Sequence, residues 1–73
     1  MSGRKWRLRS SQRYQTWTGS WVVTAYHTGA VVFPWALELS WKNEKITGFR
    51  TLKAAQTEGA RLLEEKEWEG AGR

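Results

Sequence analysis

The stretch Ala30-Val31-Val32-Phe33-Pro34-Trp35-Ala36-Leu37-Glu38-Leu39-Ser40-Trp41-Lys42 carries the clearest fold signal in the chain. Val31, Phe33, Trp35, Leu37, Leu39 and Trp41 fall on every second position, with smaller or polar residues between them. That period belongs to a strand with one apolar face, and the face needs a cover from elsewhere in the chain. Pro34 cannot donate a ladder hydrogen bond, so it belongs at an edge, at a bulge, or where the strand proper begins near Trp35.

Working outward, Trp21-Val22-Val23-Thr24-Ala25-Tyr26 is rich in strand-forming residues and follows a turn signal at Thr18-Gly19-Ser20. Alternation puts Trp21, Val23 and Ala25 on one face and Val22, Thr24 and Tyr26 on the other. The turn signal His27-Thr28-Gly29 makes this strand antiparallel to the central one. After the polar turn Lys42-Asn43-Glu44-Lys45, Ile46 to Arg50 reads as a third strand, in which a bulge at Gly48 would let both Ile46 and Phe49 point inward.

Thr51 caps a helix expected over Leu52 to about Glu67. Leu52, Ala55, Gln56, Gly59, Leu62, Leu63 and Lys66 share one arc of it, and that arc should cover the sheet. Gly59 reads as a packing notch for a sheet tryptophan such as Trp35 or Trp41. Glu64, Glu65, Glu67 and Glu69 crowd the negative end of the helix dipole, so the last turn should fray or find cations, for which the basic N-terminus is one candidate. Trp68 lies away from the sheet, exposed or beyond the helix.

Before about residue 15 the chain is rich in Ser, Gln, Gly and Arg and reads as a mobile arm. Trp6 and Leu8 alternate with charges over residues 5–9 and could instead form a short edge strand or order on binding. The expectation is therefore an α+β fold, a three- or four-stranded antiparallel sheet with one C-terminal helix packed on one face. The predicted organisation is a flexible basic arm at 1–15, a β-β-β-α domain at 16–68 and a flexible tail at 69–73.

Composition bounds what such a domain can be. The chain has 73 residues, no cysteine and one histidine, so neither a disulfide nor a structural zinc site is available to reinforce a small core. Six tryptophans, at 6, 17, 21, 35, 41 and 68, supply bulk instead, and a chain this short cannot enclose them all. Exposed tryptophan beside arginine is the composition of interface hot spots, and incomplete burial in a small domain gives the same picture. Absent cysteine suits a reducing compartment. The basic start runs into Ser10-Ser11-Gln12-Arg13, where a secretory signal would need an apolar run. The longest apolar run, Ala30 to Leu37, falls short of the roughly 18 residues of a membrane helix. A soluble cytoplasmic protein without a membrane partner is expected.

No pattern of residues names a reaction. His27 has no nucleophile or orienting carboxylate beside it by any spacing. The carboxylates at 64, 65, 67 and 69 splay around a helix without a liganding loop, and the seven glycines form no phosphate loop. The chain is expected not to be an enzyme and to need no cofactor or metal. What remains is charge: the net charge is +5, and residues 1–20 hold Arg4, Lys5, Arg7, Arg9 and Arg13 with no acid. Such a segment attracts phosphate or an acidic protein surface through a salt-sensitive field, or serves only as a solvated tail.

Basic residues interleaved with aromatics from Arg4 to Trp17 suit phosphate contact and base stacking. The strand-strand-strand-helix order closed by Phe49-Arg50-Thr51-Leu52-Lys53-Ala54-Ala55 resembles the sheet-reading DNA modules at the start of some phage and transposon integrases. Such readers need Arg, Lys, Asn or Gln on the outer sheet face. The outer face expected here offers Val22, Thr24, Tyr26, Val32, Ala36, Glu38, Ser40 and Lys42, which suits a protein partner better.

The whole chain, with its basic start, tryptophan-rich sheet including Gly19-Ser20-Trp21-Val22-Val23-Thr24-Ala25-Tyr26 and single helix, resembles the short transcription regulators of lytic Xanthomonas phages. That resemblance implies a non-enzymatic protein, in the cytoplasm of the host cell, that binds the large subunits of host RNA polymerase. It would inhibit initiation by weakening sigma-factor retention and promote antitermination. Nucleic acid is the second choice of partner, and the free protein is expected to be a monomer. The residues themselves nominate Arg4, Lys5, Trp6, Arg7, Arg9, Arg13, Trp17 and Tyr26 as partner-binding.

Overall fold

The computed structural model describes residues 5–71. Five strands follow one another, β1 (Arg7–Ser10), β2 (Arg13–Thr18), β3 (Trp21–His27), β4 (Trp35–Leu39) and β5 (Lys45–Phe49), and the helix α1 (Leu52–Ala71) closes the chain. Each strand pairs antiparallel with the next, so spatial order equals sequence order. The α+β architecture with one C-terminal helix on the sheet is the expected one, with five strands rather than three or four.

The extra strands come from the segment expected to be a mobile arm at 1–15. β1 and the start of β2 lie within it, and residues 1–4 lie outside the described region. Arg7 pairs with Gln15 and Leu8 with Tyr14, and the Thr16 hydroxyl donates to the Lys5 carbonyl at 2.8 Å. Thr16 is buried and Trp6 packs against the core. Of the charges that suggested an arm, Arg7 and Arg9 lie on the edge strand β1, where cations also discourage pairing with a second chain, and Arg13 lies on β2 beside it. The two hairpin turns need unusual backbone at one residue each: Gln12 has φ 56° and Gly19 φ 55°. Glycine adopts that conformation freely, whereas Gln12 does so against its own side chain.

The central stretch divides at Pro34. β4 begins at Trp35, and Trp35, Leu37 and Leu39 face the helix as their period requires, with Leu37 and Leu39 buried. Val31 and Phe33, expected on the same face, belong instead to a loop spanning 28–34 and are exposed. Periodicity continues across the proline in the sequence, but the hydrogen-bonded ladder does not. In β5 the register slips by one residue between the partners of Trp35 and Leu37, Gly48 takes φ 99°, and both Ile46 and Phe49 pack against the core. This is the bulge expected at that glycine.

Helix α1 starts as its cap requires, with the Ala54 N–H donating to the Thr51 hydroxyl at 3.1 Å. Ala55, Gly59 and Leu63, spaced by four, form the buried line of the helix, and Leu52 and Leu62 flank it half-buried. They meet Val23, Ala25, Leu37 and Leu39 from the middle of the sheet. Gly59 is the expected notch, but its occupants differ. A Cβ there would lie 2.9 Å from Val23 Cγ1, 3.0 Å from Trp6 Cη2 and 3.2 Å from Leu37 Cδ2. Trp6, nominated for partner binding, thus lies under the helix, and Trp35 and Trp41 pack elsewhere. Trp41 meets Trp21 edge to face at 5.9 Å, and the Lys66 ammonium lies 4.8 Å from the Trp21 ring centroid. The region expected as a tail at 69–73 is helical through Ala71, and residues 72 and 73 lie outside the described region.

Candidate partner-binding surface

Because side chains alternate across a strand, burial of Val23 and Ala25 under α1 turns their neighbours to the helix-free face. In β3 these are Val22, Thr24 and Tyr26, as the sequence predicts. Register adds residues from β2: Arg13 lies opposite Tyr26, Gln15 opposite Thr24 and Trp17 opposite Val22. From β1, Arg7 lies opposite Gln15. The guanidinium carbon of Arg7 lies 5.7 Å from the Trp17 ring centroid and that of Arg13 5.2 Å from the Tyr26 centroid. Between these pairs the Gln15 amide donates to the buried Thr24 hydroxyl at 3.0 Å.

Both distances are within cation–π range, and a guanidinium beside a ring still has N–H donors for a carboxylate or phosphate. Each pair therefore presents a cation beside an aromatic surface. Such cation–π contacts stabilise by about 0.5–1 kcal/mol at exposed sites, enough to bias the rotamers before a partner arrives. Trp17 is 46% exposed, and no acid precedes Glu38 in the sequence. Farther across the sheet Glu38 lies opposite Lys45, so the β4–β5 side is close to balanced in charge.

The nominated residues separate accordingly. Arg7, Arg13, Trp17 and Tyr26 come together on the helix-free face, while Lys5 and Arg9 are exposed at the β1 edge. Trp6 faces the helix at Gly59. Arg4 lies outside the described residues. Gln15 was not singled out from the sequence, although the alternation Arg13-Tyr14-Gln15-Thr16-Trp17 places it with the other two once the segment is read as a strand. No family model, curated protein or solved structure matches the chain.

Gly29 N–H donates to His27 Nδ1 at 3.2 Å, and the half-buried His27 ring meets Trp35 edge-on at 5.0 Å. The ring is therefore packed at the end of β3 rather than free in the turn that the sequence signals there. The crowded helix carboxylates find several partners. Arg61 bridges Glu58 and Glu65, Lys66 reaches Glu69 at 3.5 Å, and the Thr18 hydroxyl donates to Glu67 at 2.7 Å. The hydrogen bond from Arg61 holds the Glu58 carboxyl below the usual glutamate range, against a smaller opposing effect of desolvation. Arg61 is correspondingly raised by its bonds to Glu58 and the charge of both carboxylates. Among the described residues no group of three or more His, Asp or Glu is placed to hold a metal ion, and no helix is long and apolar enough to cross a membrane.

Proposed function

We propose that the chain is a non-enzymatic binding module that engages host RNA polymerase through the β1–β3 part of its helix-free sheet face. In this reading it inhibits initiation by weakening sigma-factor retention and promotes antitermination. The observation that carries the binding role is the pair of arginine–aromatic contacts, Arg7 with Trp17 and Arg13 with Tyr26, on the helix-free sheet face, in a stretch of sequence with no acid. Tryptophan, tyrosine and arginine are the residue types that dominate interface energetics, and the cations steer encounter with an acidic surface. The choice of polymerase comes from the resemblance to short phage regulators.

Titration of purified host polymerase with the labelled chain tests the reading. A saturable complex is expected, with Tyr26→Ala and Trp17→Ala each weakening it more than any single arginine change. Transcription on a defined template should then show sigma release during initiation and read-through at a terminator. Absence of any complex would sink the reading.

A second reading, duplex DNA, is favoured by one observation. Arg7, Arg13 and Gln15, donor types that read base edges, share the helix-free face. A DNA binder contacting some six phosphates should lose about 10³-fold in affinity between 50 and 200 mM salt, whereas the polymerase complex should respond less steeply.

A further inference from the structure

The loop between β3 and β4 exposes three consecutive apolar side chains. Val31 is 94% exposed, Val32 58% and Phe33 47%. Its shape is nevertheless set by local bonds. The Thr28 N–H donates to the Pro34 carbonyl at 2.6 Å, the Ala30 N–H donates to the Thr28 hydroxyl at 3.2 Å, and Gly29 supplies a turn at φ 92°. Arg50, just beyond β5, lies with its guanidinium carbon 5.6 Å from the Phe33 ring centroid. A preorganised apolar tip loses little conformational entropy when it is buried.

The surroundings of this tip are cationic. The meander brings the end of β3, the start of β2, the end of β5 and the start of α1 to the same end of the sheet, and the Gln12 carbonyl accepts from the His27 N–H at 3.2 Å. Arg13, Arg50 and Lys53 therefore lie at the end that carries the loop, together with the positive pole of the helix. The seven acids lie elsewhere: Glu38 is near the far end of β4, Glu44 precedes β5, Glu58 lies part-way along α1, and Glu64, Glu65, Glu67 and Glu69 end the helix at the opposite end of the molecule.

We propose that the β3–β4 loop is a second anchor, seated in an apolar protein pocket rimmed by carboxylates. This rests on the polymerase reading and adds to it a contact separate from the arginine–aromatic face. Charge complementarity sets the acidic rim, and the Val-Val-Phe tip sets the apolar floor. The loop chemistry favours a protein over the other anionic surfaces. Residues 28–34 contain no tryptophan or tyrosine of the kind that anchors at a lipid headgroup boundary. Val31, Val32 and Phe33 carry no donor or acceptor with which to read a base edge.

The double variant Val31→Ser/Val32→Ser tests the anchor, because both side chains are exposed and the change should leave the thermal midpoint where it is. With purified host polymerase at fixed salt, affinity should fall roughly 10- to 100-fold, mainly through faster dissociation. Val31→Leu should retain parental affinity, and Arg50→Gln should flatten the salt dependence. If the parent binds polymerase and the double variant binds it equally well, the anchor is overturned while the polymerase reading stands. If the parent fails to bind polymerase, that reading falls and the anchor falls with it. Binding of the parent to phosphatidylserine vesicles or to a short DNA duplex, lost in the double variant, would give the loop to a membrane or to nucleic acid and overturn the proposal.

Discussion

The two faces of the sheet are built from alternate residues of the same strands, yet they obey different physics. Under α1, Val23, Ala25, Leu37 and Leu39 meet Ala55, Gly59 and Leu63 at van der Waals distance, and the approach is close enough that glycine is needed at one point. On the other face Arg7 lies beside Trp17 and Arg13 beside Tyr26, with Arg7, Arg13 and Trp17 exposed and Tyr26 half-buried. Replacing a residue on the first face should change how much of the protein is folded. On the second it should change what the folded protein can hold. A 73-residue chain can separate the two roles this cleanly because a single helix covers only one side of its sheet.

The comparison breaks most visibly at Leu63, which is fully buried. Leu63→Ala should cost roughly 2–5 kcal/mol in denaturant unfolding, a large share of the stability of a small domain, and should leave the affinity of the remaining folded fraction unchanged. Trp6 comes next. It belongs to the covered face although it lies in the basic N-terminal segment, so Trp6→Ala should cost about 2–3 kcal/mol, less than for a fully buried tryptophan. Deleting residues 1–13, which as a mobile arm could be lost without consequence for the fold, should therefore lower the thermal midpoint severely. An unchanged midpoint would detach β1 and Trp6 from the core.

Gly59→Ala sharpens the same contrast. The gain in helix propensity of about 1 kcal/mol opposes an overpacking cost of about 1–3 kcal/mol, because the new Cβ meets Val23 and Leu37 inside the core. A net loss of about 1 kcal/mol is expected, and a more stable variant would show that the helix can lift away at little cost. On the open face, Tyr26→Ala should move the midpoint little and binding strongly. The smallest effect belongs to Glu58→Gln on the solvent side of α1. Glu58 has a lowered pKa in the folded state, so its ionised form contributes stability above the unfolded value of about 4.3, and that contribution is lost as pH falls through the folded value. The parent should therefore be slightly more stable than Glu58→Gln near neutrality, and the two melts should converge once pH falls below the folded value.

What the sequence makes legible follows from where period and burial agree. The strand from Trp21, the bulge at Gly48, the Thr51 cap and the apolar helix arc were all readable because each rests on a local rule about backbone geometry. β1 and the first half of β2 were not, since an edge strand with arginines on its open face has the composition of a disordered arm. Only long-range contacts, Trp6 at Gly59 and Thr16 at Lys5, distinguish the two. The same error hid part of the candidate surface. Reading residues 1–15 as an arm left Arg7, Arg13 and Gln15 off the sheet, and the outer face looked more neutral than it is. Val31 and Phe33 failed in the opposite direction, because alternation implied burial that a proline-broken ladder does not deliver.

The simple order of the sheet also sets how the chain reaches its structure. Every strand pairs with its neighbour in sequence, so no strand must wait for a distant partner, and loop-closure entropy stays small until the helix docks. The β2–β3 hairpin, with six register pairs across a two-residue turn at Gly19 and Ser20, is the pair expected to form earliest. Gly19→Val should then slow refolding, because its turn must already be left-handed in the transition state, while Leu63→Ala should act mainly by accelerating unfolding. A meander of this kind should fold fast for a mostly β protein, and its slowest productive event should be the arrival of α1 on a sheet already assembled.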